Sequence, residues 1–66
     1  MSLYENYERI RDAKGLTNYR VAIAADISQS ILSDWKTGKK TPTITTLVKV
    51  AGALGVQLPD LLRSSP

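Results

Sequence analysis

The chain has 66 residues, which is enough for one small domain and leaves no room for a second. It contains no cysteine and no histidine, which excludes disulfide frameworks, thiol nucleophiles, the usual zinc sites and the commonest general base. A net charge of +3 favours a polyanionic partner. We therefore expect residues 1–66 to form a single domain that is not an enzyme and that binds no metal, cofactor or small-molecule ligand.

The positive charge is concentrated in the later part of the sequence. Up to Tyr19 three acidic residues balance three basic residues, whereas from Arg20 onward six basic residues oppose three acidic ones. Four lysines and no acid lie between Trp35 and Val50, namely Lys36, Lys39, Lys40 and Lys49. No apolar run approaches the roughly 18 residues of a membrane span, and no signal peptide is evident, so we expect a cytoplasmic protein.

Capping residues predict two helices in the first part of the chain. Ser2 and Glu5 have the spacing of a capping box, and Gly15 suits the left-handed position that follows a helix. Thr17 is a good N-cap for a second helix. The apolar residues predicted to face the core from these two helices are Tyr7, Ile10, Val21, Ala22 and Ala25.

Three further helices follow. The third is predicted over residues 28–37, where Gly38 ends it, and the fourth begins at Thr43 behind Pro42. The fourth has the clearest helical stripe, made by Leu47, Val50, Ala51 and Leu54. A fifth, very short helix is predicted over residues 59–62. With no strand pattern in the sequence, the predicted fold is all-α.

The second and third helices are separated by very few residues. Only Ala25, Asp26 and Ile27 lie between them, so the chain must turn sharply at Asp26, where a residue that tolerates positive φ is needed. Two short helices joined in this way form a helix-turn-helix, here over about residues 17–37.

Residues 16–62 resemble the lambda-repressor-like family, the Cro/repressor (Xre) helix-turn-helix proteins of phages and bacteria. The matching features are Leu16-Thr17, Ala22, Ile27-Ser28, Leu32, Trp35, Gly38, Pro42 and the segment TLVKVAGALGV at residues 46–56. No single feature is specific, but their joint order and spacing are. The resemblance implies a compact five-helix DNA-binding domain acting as a transcriptional regulator. It further implies a phage- or prophage-type repressor that binds double-stranded operator DNA as a homodimer.

The sequence departs from the family pattern at two positions. Asp26 replaces the usual turn glycine, and Lys36 stands where the family commonly has a glutamate that pairs with an arginine equivalent to Arg11. We therefore expect that ion pair to be absent.

The third helix has an outward face of polar residues. At about 100° per residue, Leu32 and Trp35 define its inner face, which places Gln29, Ser30, Ser33 and Asp34 on the opposite arc. Glutamine can bond adenine N6 and N7, and aspartate can accept from cytosine N4. By position in the family, Gln29, Ser30 and Asp34 are the predicted base contacts. Alternatively, the face is polar only because it is exposed, and Asp34 pairs with a nearby lysine.

Other residues are predicted to hold the DNA backbone. Ser28 and Ser33 are better placed for phosphate oxygens, and Lys39 and Lys40 lie in the loop after Gly38. Asn18 occupies the family's position for an amide that bonds phosphate. Alternatively, Lys39 and Lys40 form a solvated loop, and Asn18 only helps Thr17 to cap the second helix.

Two interaction hypotheses complete the prediction. The C-terminal third offers more apolar residues than so short a helix can bury, which favours dimerisation through some of Val56, Leu58, Leu61 and Leu62. A different class of function also fits this fold. The same domain can serve as a protein-interaction module, antitoxin-like or coactivator-like, that holds another protein instead of DNA.

Overall fold

The computed structural model describes residues 2–63, and this part of the chain contains five α-helices and no strand. The helices are α1 (Leu3–Ala13), α2 (Asn18–Ala25), α3 (Gln29–Thr37), α4 (Ile44–Leu54) and α5 (Leu58–Leu62). The predicted all-α, five-helix fold is confirmed, and each helix boundary lies within a residue or two of its predicted position.

The predicted capping residues form the helix N-termini. At α1 the Glu5 backbone N–H donates to Ser2 Oγ (3.1 Å), and the Ser2 N–H donates to Glu5 Oε1 (3.0 Å). Because the carboxylate accepts this backbone hydrogen bond, the pKa of Glu5 lies below its usual value. At α2, α3 and α4 the side-chain hydroxyls of Thr17, Ser28 and Thr43 each accept one backbone N–H of the first turn. These caps satisfy backbone donors that a short helix leaves without partners.

The turn between α2 and α3 depends on Asp26. Its backbone is left-handed (φ 57°, ψ 49°), the one positive-φ residue other than glycine in residues 2–63. The following N–H, that of Ile27, donates to the Ala22 carbonyl at 3.0 Å and closes the end of α2. Asp26 is therefore compatible with the turn, although it lacks glycine's freedom at positive φ.

An aromatic cluster lies at the centre of the core. The rings of Tyr4 and Tyr7 from α1 each lie 5.1 Å, centroid to centroid, from Trp35 of α3. Around them α2 packs mainly against α4, and α1 packs against α5. Core residues from the other helices are Val21, Ala22, Leu32, Leu47, Val50, Ala51, Leu54 and Leu61, and Ile10 is partly buried against them. This core fixes the orientation of α3 through Leu32 and Trp35.

The C-terminal helix is attached to α1 by a buried amide. Asn6 is 1% exposed, and its Nδ2 donates to the Leu61 carbonyl at 2.5 Å. Leu61 itself is fully buried and so contacts no other molecule, which removes it from the residues expected to be shared in a dimer. Val56 and Leu58 are partly buried against the core, whereas Leu62 remains 43% exposed.

Candidate nucleic-acid interface

The outer face of α3 is polar and accessible. Gln29, Ser30 and Ser33 are exposed and Asp34 is half-buried, while Leu32 and Trp35 point into the core. The predicted division of the helix into an inner and an outer arc is therefore confirmed. No carboxylate of residues 2–63 other than Glu8, Asp12 and Asp60 takes part in an ion pair, so Asp34 does not pair with a lysine.

Two hydroxyl groups meet at the start of α3. Ser28 Oγ accepts from the Ser30 N–H at 3.1 Å, and the hydroxyls of Ser28 and Ser30 lie 2.6 Å apart. One of these hydroxyls donates to the other, so a single O–H proton of the pair remains for an external acceptor. The hydroxyl groups of the predicted phosphate contact Ser28 and the predicted base contact Ser30 are therefore coupled through one shared proton.

The lysine loop is attached to α3 through its backbone. Gly38 adopts a left-handed conformation (φ 79°), and the N–H groups of Lys39 and Lys40 both donate to the Asp34 carbonyl, at 2.8 and 3.3 Å. The side chains of Lys36, Lys39 and Lys40 are exposed. In the described part of the chain the ion pairs belong to Arg11 and Arg63, so the charge of these three lysines is uncompensated by a paired carboxylate.

A groove joins α3 to the start of α4. Its volume is about 260 Å³. The polar residues that line it are Ser30, Asp34, Lys40, Thr41, Thr43 and Thr46. Two of the predicted base contacts and one predicted phosphate contact therefore share one continuous surface.

Asn18 belongs to a network of side chains. It is the first residue of α2, and its Oδ1 accepts from Tyr7 Oη at 2.6 Å and from Arg11 Nη1 at 2.9 Å. Its Nδ2 donates to Tyr4 Oη at 3.3 Å. Burial raises the pKa of Tyr7 to about 12, so its hydroxyl stays protonated and donates at neutral pH. The alternative role for Asn18, capping α2, belongs to Thr17.

Arg11 has partners although Lys36 replaces the family's glutamate. Its guanidinium lies 2.7 Å from Asp12 Oδ1 and 3.7 Å from Glu8 Oε2. Lys36 lies elsewhere, in a larger groove of about 550 Å³ between the start of α1 and the end of α3 that Glu5 also lines. The expected absence of a pair between positions 11 and 36 is confirmed, but Arg11 is not left unpaired.

The contacts that side chains of α1 make with Asn18 were not predicted from the sequence. Tyr4, Tyr7 and Arg11 follow one another at spacings of three and four residues, which places them on one stripe of a helix. That spacing was the available signal. Nothing in the sequence alone indicated that this stripe meets the first residue of α2.

No helix in residues 2–63 is long and apolar enough to cross a membrane.

A family model described as helix-turn-helix matches residues 8–61. The chain is 40% identical over 57 residues to the uncharacterized HTH-type transcriptional regulator y4dJ of Sinorhizobium fredii, covering 86% of this chain and 74% of that protein.

Two longer relatives are also similar. The immunity repressor protein of Bacillus phage phi105 is 36% identical over 58 residues, which cover 88% of this chain and 40% of the repressor. The HTH-type transcriptional regulator DdrOP3 of Deinococcus deserti is 37% identical over 62 residues, 94% of this chain and 48% of that protein. The chain therefore spans less than half the length of these two relatives.

A solved structure shares the fold. The restriction-modification controller protein C.AhdI from Aeromonas hydrophila superposes with a TM-score of 0.83 at 22% identity, covering 89% of each chain. The family match, the curated relatives and the helix-turn-helix geometry agree. The chain belongs to the Cro/repressor-type helix-turn-helix family of DNA-binding transcriptional regulators.

Proposed function

We propose that this regulator is a cytoplasmic repressor of phage or prophage type that binds operator DNA by inserting α3 into the major groove, with residues 1–66 acting as one DNA-binding unit. The observation that carries the proposal is the joining of two surfaces: the exposed polar face of α3 continues directly into a loop of lysines without paired carboxylates. A base-reading surface beside a phosphate-binding surface is what groove recognition requires.

Three side chains on α3 are assigned to the bases. In this proposal Gln29, at the helix N-terminus, bonds an adenine edge with its carboxamide. Ser30 presents a hydroxyl that can donate or accept, and the Asp34 carboxylate accepts from a cytosine amino group. Where the facing base presents an acceptor in place of that amino group, the Asp34 carboxylate is repelled, so it also contributes by rejecting wrong bases.

Five residues around this face are assigned to the phosphates. Lys39 and Lys40 supply charge, Ser28 and Ser33 supply hydroxyl groups, and Asn18 supplies an amide donor at the α2 N-terminus. Because Ser28 and Ser30 share one free O–H proton, Ser30 accepts from its base when Ser28 donates to a phosphate. The positive end of a helix dipole at Asn18 adds to the attraction for an anion.

We further propose that the operator-bound form is a homodimer. Leu62 is exposed beside the partly buried Val56 and Leu58, which gives the C-terminal end an apolar surface for a second copy. Two-fold pairing would separate the two recognition helices by about 34 Å, the distance between major grooves one helical turn apart.

The test is selection of bound sequences from a pool of random DNA duplexes, followed by titration of the selected duplex and a scrambled duplex at several salt concentrations. We expect selection to enrich a palindromic site. We also expect the affinity for both duplexes to fall as the salt concentration rises, because binding releases counterions from the DNA. Tight binding to another protein without salt-sensitive affinity for any duplex would instead favour the protein-interaction module.

A further inference from the structure

We propose that Tyr7 and Arg11 are positioning residues for DNA binding: together they fix the side-chain amide of Asn18 so that its NH₂ group presents a donor to a backbone phosphate. This inference rests on the proposed function, because it concerns the phosphate contact at the start of α2.

The acceptor side of the Asn18 amide is fully occupied. A carbonyl oxygen has two lone pairs, and here one accepts from Tyr7 Oη (2.6 Å) and the other from Arg11 Nη1 (2.9 Å). A guanidinium has no acceptor, so turning the amide over would place its NH₂ group against Arg11 with nothing to bond. The two donors therefore hold the amide in one of its two orientations.

The donor side is only half used. The NH₂ group of Asn18 has two hydrogens, and one donates to Tyr4 Oη at 3.3 Å. No second acceptor among residues 2–63 is bonded to this nitrogen, so one hydrogen is available at the point where α2 begins. Asn18 is half-buried, so part of the residue is accessible from outside the protein.

Arg11 acts through Asn18 because its charge is already compensated. Both Nε and Nη2 donate to Asp12 Oδ1, at 3.0 and 2.7 Å, and the remaining nitrogen, Nη1, donates to Asn18. The arginine side chain is 16% exposed, which leaves little of it available to a phosphate. A fixed neutral donor loses less conformational entropy on binding than a free side chain does.

The test is a set of variants titrated on the selected duplex and on a scrambled duplex. Tyr7→Phe removes only the hydroxyl and keeps the ring that packs on Trp35. Asn18→Asp keeps both acceptor bonds and replaces the donor by a carboxylate. We expect Tyr7→Phe to weaken binding to both duplexes about threefold to tenfold, and Asn18→Asp to weaken it more. Neither position carries a phosphate-neutralising charge in the native protein, so the salt slope for Tyr7→Phe should equal that of the unmodified protein.

A double-mutant cycle separates positioning from a general effect on folding. In an Asn18→Ala background, Tyr7→Phe should have no further effect on DNA affinity, whatever its effect on thermal unfolding in either background. Unchanged affinity of Tyr7→Phe or Asn18→Asp overturns the inference and leaves the proposed function intact. An equal loss from Tyr7→Phe in both backgrounds also overturns it. Failure of the unmodified protein to bind any duplex overturns the proposed function and this inference together.

Discussion

The side-chain amide of Asn6 on α1 donates to the main-chain carbonyl of Leu61 on α5, a residue 55 positions later in the chain. The same nitrogen lies 3.4 Å from the Asp60 carbonyl, and Arg9 donates to the amide oxygen. All polar atoms of this buried side chain are therefore bonded. The short α5 packs against α1 and α4 through the fully buried Leu61, and this amide adds a polar attachment of the C-terminal helix to α1.

Replacing Asn6 should therefore destabilise the fold. Asn6→Ala leaves two carbonyls without their donor and should lower the free energy of unfolding by about 2 kcal/mol, or roughly 10 °C in Tm for a chain of this size. Thermal unfolding followed by circular dichroism measures the change. Arg63→Ala is the control, because it removes only an exposed ion pair with Asp60 at the same end of the molecule and should cost no more than about 0.5 kcal/mol. Equal losses in the two variants would contradict this account of α5.

Glycine in place of Asp26 should stabilise the left-handed turn between α2 and α3. Asp26→Gly relieves the cost of a Cβ at positive φ, partly offset by the greater entropy of glycine in the unfolded chain, so we expect a net gain of about 0.5 kcal/mol. Asp26→Ala keeps the Cβ and should lose about 1 kcal/mol. Urea denaturation of both variants checks the sign, and stabilisation by alanine would show that the conformation of this turn is not what limits stability.

Two variants should distinguish base contacts from phosphate contacts by their effects on DNA affinity. Gln29→Ala should weaken the selected site by roughly 1 to 3 kcal/mol and relax preference at one base pair per half-site, with little effect on scrambled DNA. Lys40→Ala should weaken all duplexes alike and reduce the slope of log K against log salt by about 0.9. If Gln29→Ala weakens both duplexes equally, the assignment of Gln29 to a base is wrong.

Reversing the charge at Lys36 should affect DNA binding and leave stability nearly unchanged. Arg11 already pairs with Asp12, and a glutamate at position 36 would join Glu5 in the larger groove. We therefore expect Lys36→Glu to change the free energy of unfolding by less than about 0.5 kcal/mol. Affinity for every duplex should fall because the local positive potential falls. A gain in stability would indicate that Arg11 exchanges Asp12 for the new carboxylate.

The dimer proposal predicts a difference between two exposed apolar residues. Leu62→Glu places a charge in the proposed interface and should prevent dimerisation. In sedimentation experiments with palindromic DNA, the variant should then bind each half-site as an independent monomer. Ile23→Glu is the matched control, because Ile23 is 62% exposed on α2, outside that surface. A dimer that survives Leu62→Glu would place the two-fold contact elsewhere.

The local elements could be predicted from the sequence because their signals are local. Ser2, Thr17 and Thr43 satisfy the N–H groups of the turn that each begins, and Asp26 is confined by the few residues between two helices. The bonds from Asn6 to Leu61 and from Tyr7 to Asn18 join different helices, and their formation depends on how α1 lies on the core. Helical periodicity determines which side of α1 faces inward but does not determine what it meets.

The two hydrogen bonds from the lysine loop to the Asp34 carbonyl have a consequence for how errors in docking are corrected. Because the loop backbone is bonded to the last turn of α3, the backbone positions of Lys39 and Lys40 are tied to the helix, and only their side chains can adjust separately. In the proposed complex, the phosphate contacts of this loop and the base contacts of α3 would therefore form in one register. A step along the DNA larger than the reach of a lysine side chain would then require both sets of contacts to be released.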